Sequence, residues 1–192
     1  MFWRKLTIIA ALSGVILGAA PAQSEEAHVS EVKKYIADQV IPWINDKLVV
    51  EAVKAQNEKH ASLSQEEIEK LDKQWRAEID GSDKPLINAV LSNELSKFLS
   101  EKRAASAGLI TEIFVMDDKG LNVGQSDITS DYWQGDEDKW QKTFQVGADS
   151  IHIGEVELDE STQQLQVQLS LPVVENGSVI GAVTIGVNVD AL

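Results

Sequence analysis

Residues Gln164–Val189 read QLQVQLSLPVVENGSVIGAVTIGVNV. Two alternating runs flank an Asn-Gly pair, the strongest short-range sign of an antiparallel hairpin. A two-residue Asn176-Gly177 turn with unbroken strands sets Leu169 opposite Thr184 and Gln168 opposite Ile185, which mixes the faces. A three-residue loop, Glu175-Asn176-Gly177 with Gly177 left-handed, shifts the register by one. Leu165 then faces Val187, Val167 faces Ile185 and Leu169 faces Val183, so one face is wholly apolar. The other collects Gln166, Gln168, Ser170, Ala182, Thr184 and Gly186. The three-residue loop is expected on that ground. The small, polar face leaves room for a ligand or for water.

Upstream the hydrophobic period changes at Gly108. Ile110–Met116 is rich in β-branched and aromatic residues, Asp117-Asp118-Lys119-Gly120 is a turn, and a second strand follows. SIHIGEVELDE (Ser150–Glu160) alternates again, and DEDKWQKTF (Asp136–Phe144) can form a short helix. Before Gly108 the period is helical. Apolar Val29, Val32, Ile36, Val40, Trp43, Ile44 and Leu48 recur at threes and fours, with Pro42 expected to kink or split the helix near Ile41. Ser64 and Glu67 form a capping box ahead of the stripe Ile68, Leu71, Trp75, and Gly81 ends that helix. A third helix is expected over Pro85–Arg103. Trp43 and Trp75 fit apolar stripes and read as core, whereas Glu66, Glu67 and Glu69 read as a solvated face. Helices first and about five antiparallel strands afterwards make an α+β fold, with the helices gathered on one face of the sheet.

The first 22 residues stand apart. Arg4 and Lys5 precede the apolar run LTIIAALSGVILGAA, and Ala20-Pro21-Ala22 supplies small residues at a cleavage site. This is the pattern of a secretory signal peptide, and the run is short for a membrane span of about 20 residues. Cleavage is expected after Ala22. Residues 23–192 then form one soluble periplasmic domain, helical over about 28–104 and sheet over about 109–190. Without cysteine there is no disulfide, so the hydrophobic core must supply the stability. Losing Arg4 and Lys5 takes the 17 basic residues to 15 against 31 acidic ones, a net charge of −16. Such a surface repels nucleic acid and anionic lipid. His28, His60 and His152 lack metal-ligand spacing, and no phosphate loop or nucleophile motif occurs, so neither metal, cofactor nor catalytic residue is assigned.

SDYWQGDEDKW, Ser130–Trp140, gathers two of the five tryptophans and four carboxylates. Asp127, Asp131, Asp136, Glu137 and Asp138 offer oxygens for calcium, but the D-x-D-x-D-G spacing is absent. Paired carboxylates in an aromatic cleft would suit a glycoside hydrolase, yet no two of them are paired by the sequence.

The helical VVEAVKAQN (Val49–Asn57), IFVMDDKGLNVGQS (Ile113–Ser126), DYWQGDE (Asp131–Glu137) and LPVVENGSVIGAVTIGVNVDAL (Leu171–Leu192) together resemble a single Cache domain, the PAS-like extracytoplasmic sensor. The resemblance covers roughly Val29–Leu192. It implies a long N-terminal helix on a five-stranded antiparallel sheet, with a small-molecule pocket between the other sheet face and the loops above it. It further implies that SDYWQGDEDKW lies over the pocket as a lid. Tyr132, Trp133 and Trp140 would then be aromatic walls for an amine, with Asp131, Gln134 and Asp136 as polar partners. The competing reading makes the tryptophans packing anchors of a long loop. Arg76 and Lys142 are candidate contacts for a carboxylate ligand. Cache domains usually sit in membrane receptors and kinases. With a cleavable leader and an end at Leu192, the expected form is a free periplasmic binding protein that senses an amine, amino acid or carboxylate and reports to a membrane receptor or kinase. A homodimer built on the long helix, acting as an interaction protein without ligand, is the alternative.

Overall fold

The computed structural model describes residues 34, 36–158 and 164–191, so the expected leader and its cleavage site lie outside the described residues. A π-helical turn, Ile36–Val40, and a short helical turn, Ile41–Ile44, lead into α1, Lys47–His60. Pro42 sits in the first turn of its segment, where its missing N–H costs nothing. The helical segment changes at Val40–Ile41, where the irregularity is expected, and a second break follows at Asn45–Asp46, where the Asp46 side chain caps α1 by accepting from Leu48 N at 2.9 Å. Helix α2, Gln65–Asp80, starts with the expected capping box: Ser64 and Glu67 each accept from the other's backbone N–H. It ends at Gly81, whose backbone is extended, not left-handed. The single helix expected over 85–103 is two, α3 (Pro85–Leu91) and α4 (Glu94–Ala105). Asn93 makes the break: its Oδ1 accepts from Ser96 N and its Nδ2 donates to Val123 O, at 2.7 and 2.8 Å.

Strands β1 (Ile110–Met116), β2 (Asn122–Gln125), β3 (His152–Leu158), β4 (Leu165–Glu175) and β5 (Ser178–Asn188) form one antiparallel sheet in the order β2-β1-β5-β4-β3. A one-turn helix, α5 (Asp138–Gln141), lies between β2 and β3. This is the α+β arrangement read from the sequence.

The closing hairpin corrects one expectation. Glu175 pairs with Ser178 across a two-residue turn in which Asn176 (φ 50°) and Gly177 (φ 82°) are both left-handed. Val174 pairs with Val179 but Val173 with Gly181, so Ile180 is an extra residue, a β-bulge. Its carbonyl accepts from Asn57 Nδ2 of α1 at 2.8 Å. Beyond the bulge Val167 faces Val187 and Leu169 faces Ile185. The faces still segregate, but a bulge accomplishes it where a longer loop was expected.

The apolar face, with Ile113, Val115, Val167, Leu169, Val183, Ile185 and Val187, packs against Val40, Trp43, Val49, Val53, Leu95 and Leu99 of the helical layer in one core. A second core joins Ile68, Trp75, Ile87 and Val90 to Leu121 and Tyr132. It exists because α2 and α3 extend past the sheet and need something to cover them. The loop after β2 does so.

Candidate functional site

The other sheet face divides into two ends. At one end Phe114, Met116 and Ala182 are capped by Trp140 with Phe144, whose rings stack at 4.7 Å. At the other end Glu112, Gln166 and Gln168 stand on β1 and β4 without such a plug, and a cavity of about 280 Å³ opens above them. Glu157 and Leu158 of β3, the loop residues Ile128, Thr129, Ser130 and Gln134, Lys139 of α5 and the Phe114 ring line the rest of it.

The floor is organised by hydrogen bonds across the sheet. Thr111 Oγ1 donates to Gln166 Oε1 at 2.5 Å, and Gln168 Nε2 donates to Glu112 Oε1 at 2.9 Å. Between them runs β5, and Gly186 there makes the crossing possible: a β-carbon would lie 2.7 Å from Gln166 Oε1. Any side chain at 186 would fill the floor.

The loop after β2 is held from outside by α2. Asp72 Oδ1 accepts from Tyr132 N and Trp133 N at 2.9 and 3.1 Å, while its Oδ2 accepts from Arg76 Nε at 2.8 Å. Arg76 also pairs with Asp131 at 2.6 Å, and its own pKa is raised, chiefly by the hydrogen bond to Asp72. Trp75 Nε1 donates to Thr129 O at 2.8 Å, and its ring stacks on Tyr132 at 5.4 Å. Burial, and then the charge of Asp117, raises the Tyr132 phenol, which stays protonated. From the far side the β1–β2 turn grips the same loop: Trp133 Nε1 donates to Lys119 O and Gln134 N to Gly120 O, at 2.8 and 2.7 Å.

The six residues singled out in the sequence therefore separate. Gln134 is 2% exposed and lines the cavity, accepting from Lys139 Nζ at 3.2 Å and donating to Asp131 O at 3.0 Å. Asp131 is turned to Arg76, and Tyr132 and Trp133 pack with the second core. Trp140 donates to Asp117 O at 3.1 Å beneath the apolar plug, and Asp136 is exposed. Four of the five carboxylates considered for calcium have a separate basic partner: Asp127 with Arg103, Asp131 with Arg76, Glu137 with Lys139, Asp138 with Lys142. They do not converge, and among the described residues no group of three or more His, Cys, Asp and Glu could hold a metal.

Sequence reasoning placed Gln166 and Gln168 on the open face through the β4 alternation, but it missed Glu112, Thr129 and Lys139. The signal for Glu112 is a carboxylate inside an otherwise apolar strand, Ile110–Met116. Thr129 and Lys139 carry no such local mark.

Neither a family model nor a curated protein matches the sequence. Solved sensor domains superpose on it. The sensor domain of a V. cholerae histidine kinase does so with a TM-score of 0.45 at 11% identity, over 88% of this chain and 56% of that one. A Campylobacter jejuni chemoreceptor ligand-binding domain, in complex with 4-methylisoleucine, gives 0.43 at 13% identity over 86% and 56%. A Pseudomonas fluorescens chemoreceptor domain, in complex with L-alanine, gives 0.39 at 12% identity over 87% and 61%. The chain thus spans less than two thirds of the length of each. Superposition at this level leaves the site to be read from this chain's own residues.

Proposed function

We propose that this domain binds a small molecule in the cavity over the polar sheet face and serves as an extracytoplasmic sensor, reporting to a membrane kinase or receptor. The observation that supports this reading is the convergence of three glutamine side chains, Gln134, Gln166 and Gln168, on one hollow of about 280 Å³ beneath a loop clamped on both sides. Directional polar groups in a concavity whose walls are fixed are what a ligand site requires. The buried lining hydroxyl, Thr129 Oγ1, is committed to Asp131 O at 2.7 Å, and no imidazole lines the cavity among the described residues, which favours binding over catalysis. In this reading Gln134 touches the ligand, and Asp131, Tyr132, Trp133 and Trp140 hold the loop that presents it. A periplasmic location and a membrane partner follow from the export-like N-terminus and the sensor resemblance.

Thermal-shift screening of the full chain against amines, amino acids and carboxylates tests the reading. A ligand at 100 times its Kd stabilises by about 2.7 kcal/mol. For a chain of this size that raises the melting temperature by about 5–10 °C. Gln168→Ala is expected to remove the shift with little effect on the unliganded melting temperature. Failure of every compound class to move it would refute the proposal.

A further inference from the structure

Resting on that reading, we infer that the site takes an aliphatic di- or polyamine, in preference to an amino acid or a carboxylate. The cavity makes the site; the ionic arrangement of its walls selects the ligand. Among the described residues the cationic wall residue is Lys139, and it is already engaged. The ammonium lies 2.8 Å from Glu137 Oε2, donates to Gln134 Oε1, and sits 5.5 Å from the centre of the Phe114 ring. It therefore presents no open charge to an incoming anion, and it occupies the cavity's aromatic face.

A second hollow of about 480 Å³ shares Lys139, Glu157 and Gln168 with the first. Its other lysine, Lys142, pairs with Asp138 at 2.6 Å. His152 there has its pKa lowered, mainly by burial and then by Lys142, and so adds no charge near neutrality. Among the described residues, Glu137, Asp138, Glu155 and Glu157 line the second hollow with those two lysines. Each lysine is matched by a carboxylate of its own segment, while Glu155 and Glu157 project exposed from β3.

An ammonium group is a pure donor, and amide and carboxylate oxygens are its acceptors. One ammonium fits over the Gln166–Gln168 floor and a second fits beside Glu155 and Glu157, with the chain between them passing Glu157. An amino acid would place its carboxylate against these walls, where among the described residues both lysines are already paired.

Isothermal titration of the full chain at low salt with putrescine, spermidine, butylamine, L-alanine and succinate tests this. Putrescine and spermidine are expected to bind about tenfold or more tighter than butylamine, with affinity falling as salt rises. Glu157→Gln should weaken putrescine by about threefold to tenfold, the effect of one unit charge a few ångströms away in a partly wet site. Lys139→Met should tighten it by a similar factor. Lys139→Gln is a second variant that retains a polar end near Gln134. Binding of succinate or L-alanine that is lost in both Lys139 variants would overturn the amine inference while leaving the binding site standing. Equal affinity for butylamine and putrescine would overturn the two-hollow geometry. Silence from all five compounds would overturn the amine inference, and only failure of the wider screen as well would remove the binding site.

Discussion

Asp117 ties more of the molecule together than any residue of the cavity. Its Oδ1 accepts from Lys119 N and Leu121 N at 2.9 and 2.8 Å, which closes the β1–β2 turn. Oδ2 accepts from Gln56 Nε2 and lies against His60 Nδ1, both at 3.0 Å, which fixes that turn to α1. The side chain is fully buried, so deleting it strands the Lys119 and Leu121 N–H groups and removes the partner of His60, while Gln56 Nε2 keeps Leu121 O and Asn122 O. Asp117→Ala is expected to cost about 3–5 kcal/mol, the sum over two or three buried groups left unsatisfied at about 1–3 kcal/mol each. Urea denaturation should show a lower midpoint with an unchanged slope. Asp118 next to it behaves oppositely. Burial, and then the Asp117 charge, raises its carboxyl pKa, and its Oδ1 has no partner. A carboxyl whose folded pKa lies above its unfolded one destabilises the fold while ionised, and the penalty fades as pH falls through the folded value. Asp118→Asn should therefore raise the melting temperature at pH 7 by about 1–3 °C, the scale of a sub-kcal gain in a chain this long. The advantage should shrink by pH 4, and an equal gain at both pH values would contradict the electrostatic cause. The DDKG quartet reads as a turn from sequence alone. That its first aspartate meets a histidine 57 residues earlier does not, because nothing local records the partner.

The loop after β2 and the β1–β2 turn approach backbone to backbone, and two glycines permit it. At Gly120, which has φ 82°, a β-carbon would meet Gly135 N, and at Gly135 it would lie 2.7 Å from Lys119 O and 2.9 Å from Trp133 Cε2. Gly135→Ala is expected to push the loop off the turn, loosen the Trp133–Lys119 bond and cost about 1–3 kcal/mol, the usual overpacking penalty. Tryptophan emission should shift to the red as Trp133 gains solvent, and unchanged emission and stability would show that the turn yields instead. The same element level shows what alternation does and does not reveal. Because side chains alternate with period two, the runs around Asn176-Gly177 identified both sheet faces correctly. The bulge at Ile180 escaped because its cause is a hydrogen bond from Asn57 on a distant helix. The split of the third helix at Asn93 has the same origin: the residue that caps α4 also bonds Val123 of β2. Element types were legible, and the interruptions imposed by tertiary partners were not.

At the scale of the whole molecule the site arises from an imbalance between the two sheet faces. The helical layer covers the centre of the apolar face, while among the described residues the polar face is plugged where Trp140 and Phe144 reach. The tryptophan-rich stretch stood out in the sequence, and its rings turn to α2 and to the sheet, as the packing-anchor reading has it. Charge is the other global property. The chain carries −14 at neutral pH. Its ion pairs include Lys47–Glu51, Lys54–Glu175 and Lys142–Asp138, which are exposed enough to contribute little each. Repulsion among the surplus carboxylates acts over the Debye length, about 30 Å at 10 mM salt and about 8 Å at 150 mM. The folded chain concentrates that charge, and the unfolded chain spreads it, so screening favours the fold. Raising NaCl from 10 to 150 mM is expected to raise the melting temperature by about 2–5 °C, corresponding to roughly 1 kcal/mol at this chain length. Scanning calorimetry of the unliganded chain measures it, and a flat or falling response would mean that the Arg76 pairs with Asp72 and Asp131 outweigh the surplus. Sodium at these concentrations is too dilute to strengthen apolar burial appreciably, so a rise followed by a plateau near 150 mM distinguishes screening from salting-out, which continues to climb with concentration.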